Sequence, residues 1–165
     1  MKANIPSCLR TEFVRTHGND SSFEIRARMP SEIEAISPLV DRIIRLIEES
    51  HCVLGDEPAV GLALREALNN AVLHGNRLDP VKLVRVHCRC EFGEGVSIVI
   101  KDQGRGFDPT TITDPSISGN LEAEHGRGIF LMRWLMDEVS FEFGYRSTEV
   151  HMSKRRGGVK HGVEK

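Results

Sequence analysis

The hydrophobic period of this chain switches in a fixed order, and that order limits the fold more than any other feature. Residues 22–29 alternate, with Phe23, Ile25, Ala27 and Met29 on one side, which predicts a strand. Ile33, Ile36, Val40, Ile43, Ile44 and Ile47 then recur at helical spacing. Ser31 and Glu34 form an S-x-x-E capping box ahead of that run, and Pro38 inside it predicts a kink or restart near Ser37. Gly55 and Asp56 break the chain. A second helix is predicted over 57–74, with Asp56 as N-cap and Gly75 as its C′ residue. Two alternating stretches, 81–92 and 96–102, meet through Glu94 and Gly95 and predict a hairpin. A loop rich in Gly, Pro, Thr, Ser and Asp spans 103–125, and a third helix covers about 128–137. Two last strands, 139–143 and 148–152, join at Gly144 and Tyr145. Residues 1–20 show no clear period and predict a loose tail or a short leading strand. The order β-α-α-β-β-loop-α-β-β predicts an α/β two-layer sandwich, with helices on one face of a mixed, mostly antiparallel sheet.

The 165 residues suit one domain, long enough to bury a core without disulfides or a structural metal. The expected division is a tail or leading strand at 1–21, one domain at 22–155 and a basic, polar tail at 156–165. A formal net charge of -2 gives no global sign of a nucleic-acid binder. The basic run Lys154, Arg155, Arg156 reads as a solvated tail. No run of 18 or more apolar residues occurs, and the first ten residues lack a signal-peptide core, so a cytoplasmic protein without membrane attachment is expected. Cys8, Cys52, Cys88 and Cys90 contain no C-x-x-C pair. Cys88 and Cys90 share one strand face, poorly placed to bridge each other. Reduced core thiols are the expectation.

Three segments carry chemistry. In REALNNAVLHGN, residues 65–76, most of the helix is a core face made of Leu62, Leu64, Ala67, Leu68, Ala71 and Val72. Glu66 and Asn70, four apart, share another face. An amide oxygen beside a carboxylate suits a magnesium-nucleotide site, because magnesium takes oxygen ligands and keeps several waters. The carboxylate could orient or deprotonate an attacking hydroxyl. In KDQGRGFDP, residues 101–109, a strand ends in Asp102 and breaks into Gly104 and Gly106. A carboxylate there can accept a hydrogen bond from an exocyclic amine, and glycines let a flat ring approach the backbone. In HGRGIFLMRWLMDEV, residues 125–139, Gly126 and Gly128 flank Arg127 ahead of a helix, whose N-terminal N–H groups bind phosphates. Taken singly, these segments also read as a polar surface stripe, a strand-end turn and a weak G-x-G. Neither a Walker A loop nor a complete Rossmann fingerprint is present.

The order and spacing of the three resemble the GHKL, or Bergerat-fold, ATPase and kinase superfamily. The stretch 23–154 resembles most the bacterial anti-sigma-factor serine/threonine kinases. REALNNAVLHGN looks like their N box, and DQGRGFDP and GRGIFLMRWLMDEV look like their two glycine boxes. The resemblance implies ATP and Mg2+ as cofactors. It implies that Glu66 is the base, that Asn70 binds magnesium, and that Asp102 reads the adenine amine. Gly104 and Gly106 would admit the ring, and Gly126, Arg127 and Gly128 would hold the phosphates. Asn69 points about 100° away from Asn70 on an ideal helix. His74 matches a family position but reads as a helix-end residue, and His51 is no phosphoacceptor. The segment 110–124 is short and acidic with no lysine, so a phosphate contact from that side falls to Arg127, backbone groups or a partner chain.

The implied activity is a protein serine/threonine kinase that phosphorylates a small anti-sigma-factor antagonist and sequesters a sigma factor. Relatives point to a homodimer, with no direct contact to nucleic acid. The alternative is a nucleotide-gated binding module with little phosphotransfer. Arg45 and Arg65 cannot be assigned to substrate binding from spacing.

Overall fold

In a computed structural model, which describes residues 10–15, 22–104 and 124–157, six strands form one sheet in the order β1-β2-β3-β4-β6-β5. The strands are β1 (Arg10–Arg15), β2 (Phe23–Pro30), β3 (Leu83–Glu91), β4 (Gly95–Lys101), β5 (Glu138–Gly144) and β6 (Ser147–Arg155). Every pairing is antiparallel, so the sheet is not mixed. Among the described residues three α-helices cover one face: α1 (Ile36–Ser50), α2 (Glu57–Asn69) and α3 (Glu124–Leu135). The α/β sandwich is therefore as predicted, and the aperiodic N-terminal stretch supplies a leading strand at Arg10–Arg15.

The alternation of the strands places the core. Ile25, Met29, Val84, Cys88, Ile98, Ile100 and Met152 are buried beneath the helices, where they meet Leu39, Ile43, Ile47, Leu64, Leu68 and Met132. The intervening residues, among them Arg26, Arg28, Arg85, His87 and Lys101, line a cavity on the other face. Burying one side of a sheet fixes its register, because a one-residue slip would reverse every side chain.

Several local expectations are corrected. The S-x-x-E box does not cap a helix. Glu32 takes the N-cap position without a side-chain bond, and the Ser31 hydroxyl donates to the Lys82 carbonyl at 3.1 Å. A short 3-10 turn, Ile33–Ala35, precedes α1, so the predicted restart lies at Ile36. Pro38 falls in the first turn of α1, where its missing N–H costs no intrahelical bond. Ile33 and Leu62 are exposed rather than core. Asp56 does occupy the N-cap position of α2, but its side chain makes no capping bond.

Lys154 is no tail residue. It follows Val150 and Met152 on the inner face of β6 and is buried, with Nζ 3.1 Å from Asp137 and 3.9 Å from Asp56. The cysteines also depart from expectation. Cys52, after α1, and Cys90, on β3, are joined as a disulfide across 38 residues, with Cα atoms 6.0 Å apart. A pairing between two elements leaves no local spacing signal. Cys88 is a free, buried thiol pushed up to about 12 by burial.

Candidate nucleotide site

Helix α2 supplies the first wall. Apolar Val60, Ala63, Leu64, Ala67 and Leu68 anchor one side of it to the core, which turns Glu66 and Asn70 to another side. Helix α3 packs across that side through Gly128. A Cβ at Gly128 would lie 3.1 Å from Glu66 Oε2, 3.4 Å from Asn70 Nδ2 and 3.6 Å from Asn70 Oδ1. The structure thus brings Glu66, Asn70 and Gly128 together. Arg65, their neighbour, faces away: it donates to the Ser37 hydroxyl at 2.7 Å and lies 3.9 Å from Asp41, which ties α2 to α1.

Beyond Asn69 the helix widens into a π turn, Asn70–Gly75. The Asn76 N–H donates to the Ala71 carbonyl at 2.8 Å, and the Leu78 N–H reaches the Val72 carbonyl at 2.9 Å. Such widening is rare, and where it occurs it is frequently at a functional site. Gly75 is not a left-handed C′ residue. The positive φ angles fall at Arg77 and Leu78, both 57°. Glycine is required at 75 for close packing: a Cβ there would overlap the Asp102 carboxylate, and one at Gly104 would overlap the Gly75 carbonyl. Gly75, Asp102 and Gly104 therefore form one tight contact. His74 lies in the same turn.

Asp102 is buried at the end of β4. Its Oδ1 accepts the N–H groups of Gly104 at 2.8 Å and Thr148 at 2.9 Å, while its own N–H donates to the Thr148 carbonyl at 3.0 Å. Oδ2 is left on the Gly75 side. A buried carboxylate held this way can accept a hydrogen bond from an amine at the remaining oxygen.

The sequence reading missed the residue that locks these parts. Asn76 is fully buried. Its Nδ2 donates to the Ser31 hydroxyl at 2.6 Å and the Leu83 carbonyl at 3.2 Å, and its Oδ1 accepts the Gln103 N–H at 2.7 Å. Gln103 Oε1 in turn accepts the Leu83 N–H at 2.7 Å. One side chain thereby fixes the end of the π turn against the end of β2, the start of β3 and the Asp102 loop. A polar residue just past a helical run was the only available signal, and it also fits a turn.

The second glycine box is placed differently from the expectation. Helix α3 begins at Glu124, so Gly126, Arg127 and Gly128 lie inside it rather than ahead of it. The N-cap carbonyl already accepts the N–H of the fourth helical residue, so the free N–H groups of this helix end at 126 and include neither 127 nor 128. Arg127 is exposed. Gly106 and residues 110–123 lie outside the described residues.

A conserved-domain model, "Histidine kinase-like ATPase domain", matches residues 29–154. The chain belongs to this family. Membership implies the use of ATP. An "Anti-sigma F factor" from Heyndrickxia coagulans is 25% identical over 158 residues, covering 94% of this chain and 96% of the relative. A "Serine-protein kinase RsbW" from Staphylococcus epidermidis is 28% identical over 123 residues, covering 70% of this chain and 77% of that one. A solved histidine kinase domain, from the blue-light activated histidine kinase of Erythrobacter litoralis EL346, aligns with TM-score 0.48 and 20% identity. That alignment covers 76% of this chain and 61% of the other. No helix among the described residues is long and apolar enough to cross a membrane.

Proposed function

We propose that this chain is an ATP-dependent protein serine/threonine kinase that acts as an anti-sigma factor in the cytoplasm. It phosphorylates a small antagonist protein and sequesters a sigma factor, the kinase and anti-sigma roles being those in its relatives' names, and a second copy of the chain completes a homodimer. The observation that carries the reading is the convergence of Glu66, Asn70 and Gly128 at the crossing of α2 and α3.

Adenine fits against the Gly75, Asp102 and Gly104 contact, with its amine donating to Asp102 Oδ2. The phosphates would lie toward Gly128, where a Cβ would crowd Glu66 and Asn70, with the free first-turn N–H of Gly126 available to them. The Arg127 guanidinium adds charge. The residues present fit magnesium: Asn70 offers one amide oxygen beside a glycine, which leaves room for phosphate oxygens and water. Magnesium, when bound, neutralises the charge of the transferring group. Glu66 accepts the proton of the serine or threonine hydroxyl as the new phosphate ester forms and ADP leaves.

Glu66→Gln is the test. Calorimetry with ATP and magnesium is expected to show retained binding, while transfer to a serine-bearing antagonist falls ~100-fold or more. Unchanged transfer would remove Glu66 from the mechanism. Absence of transfer in the wild type, with nucleotide-dependent partner binding, would leave a nucleotide-gated binding module instead.

A further inference from the structure

The open face of the sheet holds a second group of donors, remote in role from the nucleotide cleft. Strands β5 and β6 place Glu142 directly opposite Glu149. His151 lies two residues further along β6 and so on the same face. One donor atom from each of the three lies within 4.8 Å of the other two. Like charges directly opposite one another on adjacent strands are destabilising unless a cation lies between them. His151 Nε2 is 3.1 Å from Glu149 Oε1 and 3.7 Å from Glu142 Oε1. That nitrogen is shielded from solvent and makes no hydrogen bond.

Glu149 is held ready for a cation. Its second oxygen, Oε2, accepts a hydrogen bond from Lys101 Nζ at 2.8 Å. Its other oxygen, Oε1, remains on the imidazole side.

We propose that Glu142, Glu149 and His151 form a zinc-binding site. A tetrahedral zinc ion with bonds of 2.0–2.1 Å sets its donors about 3.3–3.4 Å apart. The two observed separations, 3.1 and 3.7 Å, bracket that spacing. An imidazole in the set selects zinc over magnesium, which takes oxygen ligands. Lys101 orients the ligating carboxylate from behind, as groups around metal ligands commonly do. Glu142, with 73% of its side chain exposed, is the ligand free to close on the ion. The fourth position is open to water.

The test is calorimetry and equilibrium dialysis of the full chain, without an affinity tag, against zinc chloride at neutral pH. Wild type is expected to bind one zinc ion per chain, and His151→Ala, Glu149→Gln and Glu142→Gln are each expected to weaken binding at least ~10-fold. Unfolding temperatures measured in chelator separate loss of the site from loss of the fold. Glu142→Gln alters an exposed side chain and carries the test alone if the other variants fail to fold. Wild type that binds no zinc at micromolar concentration, or variants that bind as well as wild type, would overturn the site.

Discussion

At the scale of single residues, the proposed ATP cleft depends on what is missing as much as on what is present. Gly75 and Gly61 both belong to the α2 helical segment, yet a methyl group would meet different things at each. At Gly61 a Cβ would meet only the flexible end of Ile44, at 3.2 Å. At Gly75 it would overlap the Asp102 carboxylate, which is held by two backbone N–H groups and cannot move without breaking them. Gly75→Ala is expected to lower ATP affinity at least tenfold and stability by about 1–3 kcal/mol, the usual cost of overpacking. Gly61→Ala is expected to leave ATP binding unchanged. Calorimetry and urea unfolding of the pair check this, and equal nucleotide affinity in both variants would show that the glycine contact does not shape the pocket. The sequence carried Glu66 and Asn70 plainly, because i, i+4 spacing is a local property of a helix. It could not carry the reason for Gly75, which is a contact with a residue 27 positions away.

At the scale of elements, the π turn Asn70–Gly75 converts one helix into two functional parts. Its first half presents Glu66 and Asn70, and its widened end reaches the Asp102 loop. Asn76 holds that geometry through bonds to Ser31, Leu83 and Gln103. Asn76→Ala would strand buried groups on three segments at once. At about 1–3 kcal/mol for each unsatisfied group, with partial relaxation, the expected loss of stability is ~2–4 kcal/mol. Urea unfolding measures it, and a loss below ~1 kcal/mol would show that water replaces the amide. ATP affinity is expected to fall in parallel, since the Gln103 N–H borders Asp102. The alternation of the strands and the helical period were legible in the sequence because each repeats within a few residues. The π widening and the short turn before α1 were not, because they answer to tertiary bonds: the Ser31 hydroxyl, read as a cap, is engaged by Lys82 and Asn76.

At the scale of the whole molecule, one buried cation joins parts that the sequence reading kept separate. Lys154 read as tail because it opens a basic run, yet the strand period, continued two residues past Met152, turns it inward. Its ammonium meets Asp137, at the junction of α3 and β5, and Asp56, at the start of α2. Asp137 also accepts the Arg155 N–H at 2.8 Å. Burial pushes its carboxyl upward, but the Arg155 N–H and the Lys154 ammonium more than offset that, and the group is held below the usual aspartate range. A carboxylate with a lowered value in the folded state stabilises the fold above its unfolded value, about 3.9. That stabilisation is lost as the pH falls through the lower folded value. Stability of the wild type is therefore expected to decline as acid is added below about pH 4. Asp137→Asn keeps the shape, removes the titration and leaves Lys154 with Asp56 alone. The variant is expected to be less stable at neutral pH by about 2 kcal/mol, below the 3–5 kcal/mol of a fully buried pair because Asp137 is 22% exposed. Its stability should also fall less steeply in acid. Urea unfolding of both proteins across the acid range decides it, and parallel pH profiles would place the acid sensitivity in other carboxylates, such as Glu24 and Glu149, which are also held low.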